Sequence, residues 1–243
     1  MKQLEGKHIL VTGASSGMGR VFCQMIADEG ARVSLLARNE ERLQLTLSLM
    51  TGMNHKYYVC DLTNTENLVD FVEQIDGLDG VVFCAGVNEY TPVKFIKQEK
   101  IDYIFKTNFD STVLLTQLLL KKKRINKKGS LVYISSLSSL LGTAGTLLYA
   151  SSKAAINSAM KVIAAEVAPM GVRANSICPG IVKTEMLAGT NIDEESFLKQ
   201  EVDYPLGLGT PEDVGNAVIF HLSDASRWLT GNILTLDGGY SLK

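Results

Sequence analysis

His8-Ile9-Leu10-Val11-Thr12-Gly13-Ala14-Ser15-Ser16-Gly17-Met18-Gly19 is the stretch that decides the fold of this 243-residue chain. Its first five residues are mostly apolar or β-branched, as in a buried strand, and the residues from Gly17 onward have helical periodicity. The glycines between them permit a tight turn, and they let the backbone approach a phosphate group that rests on the free N–H groups of the helix. The stretch therefore predicts a strand, a phosphate-binding loop and a helix in direct succession.

The rest of the chain repeats this alternation of strand and helix. Further strands are predicted at residues 32–36, 57–60, 80–84, 130–135, 173–178 and 233–236. Helices are predicted at residues 17–29, 40–50, 65–74, 109–124, 149–168 and 211–222, the last with Thr210 as its N-cap. Apolar strands separated by helices form parallel sheets that are covered on both faces. We therefore predict an α/β fold in a single domain over residues 1–243, a doubly wound Rossmann-type parallel sheet of about seven strands.

The composition is that of a globular protein with a large core. Hydrophobic residues make up 46% of the chain and charged residues 21%, which is enough apolar material for one such core. The formal net charge of -2 gives no general attraction to nucleic acid or to an anionic membrane. The charged amino-terminal residues do not resemble a secretory signal, and the longest apolar stretch, near residues 113–120, is too short to span a bilayer. We expect a cytoplasmic protein without nucleic-acid or membrane partners.

Neither the cysteines nor the histidines have the spacing of a metal site. The cysteines lie far apart, without a C-x-x-C pair, at Cys23, Cys60, Cys84 and Cys178. The histidines are isolated from them and from one another, at His8, His55 and His221. We therefore predict buried, reduced thiols and no bound metal.

The glycine spacing T-G-x-x-x-G-x-G resembles that of the short-chain dehydrogenase/reductase family and differs from the G-x-G-x-x-G of other dinucleotide folds. Further features similar to that family occur along the chain: Asp61, Cys84-Ala85-Gly86, Asn108, Ser136, Tyr149-Ala150-Ser151-Ser152-Lys153, Pro179-Gly180 and Leu236-Asp237-Gly238-Gly239. The type of member that the chain most resembles is the 3-oxoacyl-(acyl-carrier-protein) reductase. The resemblance implies a nicotinamide-dependent oxidoreductase that interconverts a ketone and a secondary alcohol.

The end of the second predicted strand carries the information about which nicotinamide cofactor is used. An acidic residue there would bind the ribose diol of NAD and repel a 2′-phosphate. The sequence has Ala37 instead, followed by Arg38, whose guanidinium can hold a phosphate. This favours NADP(H). With the family's contacts carried over, the expected cofactor-binding residues are Gly13, Ser15, Ser16, Gly17, Met18, Gly19, Arg38, Asp61, Leu62, Ala85, Gly86, Tyr149, Lys153, Pro179, Gly180, Ile181 and Thr184.

Tyr149 and Lys153 are four residues apart in a predicted helix, so their side chains share a face. A free tyrosine has a pKa of about 10, and bringing it near neutrality takes about 4 kcal/mol. A lysine ammonium about 4 Å away supplies about that much at an effective dielectric constant near 20. The spacing therefore predicts a tyrosine proton donor activated by a lysine, without a metal.

A hydroxyl group is also needed to hold the substrate carbonyl. Family resemblance favours Ser136, thirteen residues before Tyr149, and Ser138 is its main rival. The resemblance also implies that Asn108 holds a water that connects Lys153 to solvent.

Two alternatives to a reductase follow from the same fold. A catalytically silent NADP(H)-binding interaction module would not need the complete Ser-Tyr-Lys-Asn set. An epimerase or dehydratase that acts on a sugar nucleotide would need a substrate domain, and few residues follow Leu236.

Partner predictions rest on three surfaces. A long segment near residues 183–208 predicts a lid whose apolar face covers a small-molecule ketone or alcohol. An acyl chain on an acidic carrier protein is the alternative substrate, for which Lys127 and its neighbours could be a landing site. Met170, however, stands where carrier-using relatives tend to have a basic residue. Apolar helix faces near residues 113–120 and 154–163 predict a homotetramer, with a dimer as the second choice.

Overall fold

Seven parallel strands form one sheet in the computed structural model, which describes residues 2–183 and 201–242. In chain order the strands are β1 His8–Thr12, β2 Arg32–Ala37, β3 Lys56–Val59, β4 Leu78–Phe83, β5 Ile125–Ile134, β6 Arg173–Pro179 and β7 Ile233–Leu236. Their spatial order is β3-β2-β1-β4-β5-β6-β7, and each neighbouring pair is parallel. This is the predicted doubly wound sheet.

Helices pack on both faces of the sheet because the strand residues alternate between two cores. Ile9 and Val11 point into one core, while Leu10 between them points into the other. The first core includes residues of α1 Gly17–Asp28, α2 Glu40–Ser48 and α7 Pro211–Leu222. The second includes residues of α3 Thr65–Gln74, α5 Ser111–Lys121 and α6 Leu147–Val167. The predicted fold class is thereby confirmed.

The strand order reverses between β1 and β4, which places a crevice at the carboxyl ends of these two strands. The loops that follow them approach each other closely. A Cβ atom on Gly13 would lie 2.9 Å from the Cα atom of Ala85, so only glycine fits at position 13 without a shift of the backbone. This crevice is where a doubly wound sheet is expected to bind its ligand.

Two elements begin five or more residues earlier than the sequence predicts. α4 Gln98–Phe105 precedes the predicted start at residue 109, and a π-helical turn, Lys106–Asp110, joins α4 to α5. Ile101, Ile104 and Phe105 of α4 do have helical spacing, but the helix has only eight residues and only Ile104 is fully buried, so its signal is short. β5 likewise begins at Ile125 rather than at residue 130, because its first residues include exposed lysines that do not resemble a strand.

The predicted lid lies mostly outside the described residues, which include only Lys183 at its start and residues 201–208 at its end. Lys183 forms an ion pair with Glu201, with 3.2 Å between Nζ and Oε1. Thr184 and most of the proposed apolar face of the lid fall outside this part of the chain, so their roles stay predictions. Of that face, Val202 is exposed and Tyr204 is buried. None of the helices in residues 2–183 and 201–242 is long and apolar enough to cross a membrane.

A buried histidine lies at the end of the sheet opposite the crevice. The side chain of His221, on α7, is fully buried, and its Nδ1 atom lies 2.7 Å from the carbonyl oxygen of Ala217. Its Nε2 atom has no hydrogen-bond partner among the described residues. Burial lowers the pKa of His221, and nearby Arg173 lowers it further. His8, on β1, is also buried, and burial lowers its pKa as well.

These histidines predict a loss of stability in mild acid. Because their folded-state pKa values lie below the ordinary value of about 6.5, the unfolded chain takes up the protons first as the pH falls. Below pH 6.5, each histidine should cost at most about 1.4 kcal/mol of unfolding free energy per pH unit, until its folded-state pKa is reached. Urea unfolding between pH 7.5 and pH 5.5 measures this loss. His221→Leu should reduce this loss of unfolding free energy. If the variant had the same pH dependence as the wild type, His221 would not be a source of the loss.

Candidate active site

The loop between β1 and α1 has the geometry of an anion-binding site. Ser16 is the N-cap of α1, but its side chain makes no capping hydrogen bond to a described residue, so it does not occupy the helix N-terminus. A Cβ atom on Gly17 would meet nothing within 4 Å, and one on Gly19 would lie 2.2 Å from the carbonyl oxygen of Gly13. The loop is therefore packed tightly on its inner side and open at the start of the helix. A dinucleotide pyrophosphate fits these features.

Arg38 and Asp61 lie together beyond the ends of β2 and β3. Both line a cavity of ≈ 640 Å³ beside the edge strand, with Tyr57, Tyr58, Val59, Cys60, Asn67, Asp70, Phe71 and Gln74. Hydrogen bonds from Thr63 hold the pKa of Asp61 below its usual range, and the charges of Arg38 and Lys106 lower it further. Two cations therefore stand near the carboxylate that is expected to receive the adenine. Leu62 follows Asp61 directly in the chain.

Ser136, Tyr149 and Lys153 are brought together at the carboxyl end of β5. Ser136 caps the short 3₁₀ helix Leu137–Ser139, where its Oγ atom accepts a hydrogen bond from the Ser138 amide. Its side chain also lies close enough to Tyr149 on α6 to lower the pKa of that tyrosine. The Nζ atom of Lys153, one turn farther along, lies 5.9 Å from the centre of the Tyr149 ring. Ser136, rather than Ser138, is the serine that contacts the tyrosine.

The charges at this site differ from the sequence-based expectation. Burial raises the pKa of Tyr149, and its hydrogen bond with Ser136 opposes the rise. Burial also lowers the pKa of Lys153 to about 8, and its Nζ atom donates a 2.8 Å hydrogen bond to the carbonyl oxygen of Ile134. The expectation that Lys153 brings the pKa of Tyr149 near neutrality is therefore wrong for the protein chain alone. Removal from water is the largest cause of the pKa shift of each group.

Asn108 lies in the π-helical turn, fully buried. Its Oδ1 atom accepts from the Val87 amide at 2.8 Å, and its Nδ2 atom donates to the Val87 carbonyl at 2.9 Å. Nδ2 also donates to the hydroxyl of Ser152 at 3.0 Å, and that hydroxyl donates to the carbonyl oxygen of Tyr149 at 2.8 Å. The side chain thus joins the loop after β4 to the helix that carries Tyr149. The water that it was expected to hold stays a prediction.

Thr12 holds the loop after β4 against β1, a role that its place in the glycine motif did not predict. The hydroxyl of Thr12 accepts from the amides of Cys84 and Ala85, each at 3.1 Å. Gly86 follows, and a Cβ atom there would lie 3.3 Å from Lys153 Nζ. Burial raises the pKa of the Cys84 thiol to about 12, so this cysteine stays protonated at neutral pH.

Pro179, Gly180 and Ile181 extend from the end of β6 beside the same crevice. The Gly180 amide donates to the Leu236 carbonyl at 2.8 Å, and the Ile181 amide donates to the hydroxyl of Tyr204 at 3.1 Å. A Cβ atom on Gly180 would lie 2.9 Å from the Tyr204 ring, which explains the glycine. Tyr204 was considered only as part of the lid. No local signal in the sequence pairs it with Ile181, 23 residues away.

The basic cluster lies near the start of β5, far from Ser136. Lys121 ends α5, and Lys127 and Lys128 lie near the start of β5, whereas Ser136 follows the end of this 10-residue strand. At about 3.3 Å per residue the two ends are roughly 30 Å apart. That Lys127 and its neighbours form a landing site for a carrier protein stays a prediction, and this distance from Ser136 does not favour it. Among the described residues, no group of three or more His, Cys, Asp and Glu side chains could hold a metal ion.

A Rossmann-type sheet with a glycine loop at its first switch point, beside a serine, a tyrosine and a lysine, defines a class of nucleotide-dependent oxidoreductases. Residues 13–241 match a family model described as enoyl-(acyl carrier protein) reductase. The chain belongs to the short-chain dehydrogenase/reductase family.

Named relatives and solved structures agree with this assignment. The chain is 33% identical over 240 residues to the 3-oxoacyl-(acyl-carrier-protein) reductase FabG of Rickettsia bellii, with 98% of each chain covered. It is also 33% identical over 251 residues to the cyclopentanol dehydrogenase of a Comamonas species, with 99% of each covered. A short-chain type dehydrogenase/reductase from Mycobacterium ulcerans superposes with a TM-score of 0.91 at 27% identity, over 99% of this chain and 92% of that one. The chain is therefore an oxidoreductase of a nicotinamide-using family.

The tight packing of the glycine loop gives a direct test. An alanine in a helix is normally favoured over glycine by about 1 kcal/mol, but Gly19→Ala would place a methyl group against the Gly13 carbonyl. Overpacking of this kind costs about 1–3 kcal/mol, so the variant should be less stable in urea unfolding and should lose nucleotide binding. Gly142→Ala is the control, because a Cβ atom there meets nothing within 4 Å. Equal stability of the two variants would contradict this reading of the loop.

Proposed function

We propose that this chain is an NADPH-dependent carbonyl reductase that interconverts a ketone and a secondary alcohol. The observation that carries the proposal is that Ser136 acts on Tyr149, with Lys153 one helical turn away beside Gly86 in the loop after β4. A hydroxyl donor, a second hydroxyl to orient the carbonyl and a buried ammonium are what carbonyl reduction requires from a protein.

Each residue has one task in the proposed reaction. When bound, the reduced nicotinamide supplies a hydride to the carbonyl carbon. Ser136 holds the carbonyl oxygen, and Tyr149 transfers its hydroxyl proton to that oxygen as negative charge develops there, so that the ketone becomes an alcohol. Lys153 then returns a proton to Tyr149. Its pKa of about 8 suits this task, because it is protonated at neutral pH and still gives up the proton readily.

The proposed substrate is a small-molecule ketone or alcohol of apolar character. Large apolar side chains remain exposed in the loops that follow β4 and β5, at Tyr90, Leu140 and Leu141. They flank the segment that carries Ser136. A carrier-bound acyl chain is the second candidate, because several relatives are 3-oxoacyl-(acyl-carrier-protein) reductases, but the basic cluster does not support it.

We further propose a homotetramer in the cytoplasm, with a dimer as the second arrangement. Leu114 on α5 and Val162 on α6 are exposed on the helix faces that the sequence singled out. Trp228 is 93% exposed in the isolated chain, more than is usual for this side chain in a monomer.

Tyr149→Phe tests the proposed chemistry. The change removes only the hydroxyl group, so ketone reduction should fall by at least a thousandfold while the dissociation constant for NADPH stays within about threefold. Lys153→Ala should lower ketone reduction and also weaken NADPH binding, because the ammonium is expected to bind the ribose as well. NADPH absorbance with a panel of apolar ketones measures turnover, and cofactor fluorescence measures binding.

Substantial turnover by Tyr149→Phe on a substrate of the wild type would refute the proton-donor role. NADPH binding without turnover of any ketone or alcohol by the wild type would favour a silent binding module.

The cofactor preference follows from the charges near the end of β2. Ala37 leaves room for a 2′-phosphate, and Arg38 and Lys106 both act on nearby Asp61. Ser15 of the glycine loop can add a hydrogen bond. A charge-assisted contact contributes about 1.5–3 kcal/mol, so NADPH should bind at least about tenfold more tightly than NADH at low salt. The difference should shrink as salt rises, because exposed charges are screened.

Ala37→Asp combined with Arg38→Leu should reverse this preference, because the new carboxylate repels phosphate and accepts hydrogen bonds from the ribose hydroxyls. Arg42→Leu, in the first turn of α2, is the control for loss of one exposed positive charge nearby. Equal affinity of the unmodified protein for NADH and NADPH would refute the assignment.

A further inference from the structure

Beneath the proposed catalytic serine lies a buried polar network. The Ser139 hydroxyl donates a 2.6 Å hydrogen bond to the carbonyl oxygen of Ser136, and the Ser139 amide donates to the same oxygen at 3.0 Å. The turn that presents Ser136 is therefore closed by Ser139. Any group that holds the Ser139 hydroxyl in place also holds the backbone of Ser136.

Asn157 makes the shortest side-chain contact to this hydroxyl, which Ser135 and Cys178 also approach, at 3.4 and 3.6 Å. Its Nδ2 atom donates to the Ser139 hydroxyl at 2.8 Å, and its Oδ1 atom accepts from the Ser176 hydroxyl at 2.9 Å. The Sγ atom of Cys178 lies 3.5 Å from Nδ2. The Asn157 side chain is only 5% exposed, so this amide exchanges no hydrogen bonds with bulk water. Both ends of a planar, rigid group are thus fixed by neighbours on different elements.

These contacts join three elements that carry the proposed site. Asn157 lies on α6, one turn after Lys153 and two turns after Tyr149. Ser139 closes the turn of Ser136, and Ser176 lies on β6, which leads to Pro179 and Gly180.

We propose that Asn157 is a positioning residue, which sets the distance between the Ser136 turn and the helix that carries Tyr149 by bridging Ser139 to Ser176. The proposal rests on the proposed function insofar as it assigns Ser136 and Tyr149 to catalysis.

The expected consequence of losing this bridge lies in the Ser136–Tyr149 hydrogen bond. Ser139 keeps its bond to the Ser136 carbonyl but loses its bond to Asn157 on α6. The remaining side-chain link from this turn to α6 is the 3.0 Å bond from the Ser135 hydroxyl to the Lys153 carbonyl, so the turn is held less firmly against Tyr149.

The titratable groups that face Tyr149 are Lys153 on its own helix, Cys84 after β4 and Cys178 on β6. Lys153 and Cys84 make no hydrogen bond to Asn157, whereas Cys178 does. A change in the titration of Tyr149 therefore reports the Ser136 contact only if it disappears in a Ser136→Ala background.

Asn157→Ala and a matched control, Asn175→Ala, separate positioning from stability. Asn175 is a buried asparagine on β6 with two side-chain hydrogen bonds of its own, to the Leu229 carbonyl and from the Asn232 amide. Both variants should be less stable in thermal unfolding. Only Asn157→Ala should lower kcat for ketone reduction, by about ten- to a hundredfold, with the KM for NADPH unchanged. Equal losses of kcat in the two variants would overturn the proposal.

The pH profile and a double-mutant cycle give a sharper reading. In alcohol oxidation Tyr149 accepts a proton, so activity rises as the pH passes through its pKa. Because the Ser136 hydrogen bond holds this pKa down, Asn157→Ala should move the rise upward by about half to one pH unit. Ser139→Ala should act in the same way.

In a Ser136→Ala background, Asn157→Ala should change kcat less than about twofold. If Asn157→Ala lowered kcat there as much as it does in the wild type, Asn157 would not act through Ser136.

Hydrogen exchange tests the same bridge without any turnover. The amides of Ser138, Ser139 and Leu140 are hydrogen-bonded within the Ser136 turn. In Asn157→Ala, peptides that cover residues 136–141 should exchange at least about tenfold faster than in the wild type, whereas Asn175→Ala should leave them unchanged. Unaltered exchange in Asn157→Ala would overturn the proposal. A wild-type protein that reduces no ketone would instead refute the proposed function, and the exchange result would still decide the bridge.

Discussion

The close approach of two backbone loops at the switch point of the sheet is the constraint on which the site depends. The loop after β1 and the loop after β4 meet where Gly13 contacts Ala85, with no room for a side chain at position 13. The Thr12 hydroxyl reinforces this contact by accepting hydrogen bonds from two amides of the second loop. Because α1 begins directly after the first loop, the same contact also aims the helix N-terminus into the crevice. The remaining site residues are arranged around this fixed edge.

Burial is the main electrostatic force at the centre of the site. It raises the pKa of Tyr149 and lowers that of Lys153, so each group is less easily charged than in water. A buried site of this kind does not keep a tyrosinate at rest. It keeps a neutral hydroxyl group that can donate to an oxygen on which negative charge develops. The hydrogen bond from Ser136 opposes the effect of burial on Tyr149, which is why the position of the serine turn matters for the chemistry.

Precise placement of the site comes from polar side chains within the protein rather than from its apolar cores. Asn108 holds the loop after β4 to α6 through Val87 and Ser152, and Asn157 holds the serine turn and β6 to the same helix. Both asparagines are buried and use each end of the amide. An apolar core of similar volume would stabilise the same elements but would allow them to slide. Directional bonds do not allow that.

Much of the fold was determined by local features of the sequence. Apolar runs and helical periodicity depend on neighbouring residues, so β1, β7, α3 and α7 have the predicted bounds, and the four-residue spacing of Tyr149 and Lys153 puts both on one helix face. Prediction failed where local signals were short or weak, as in the eight-residue α4 and the lysine-rich start of β5. Only the tertiary structure decided that Asn157 meets Ser176, that Tyr204 bonds Ile181 and that Lys127 lies far from Ser136. It also decided the direction of the Tyr149 pKa, because burial and long-range contacts are set by elements that are distant in the sequence.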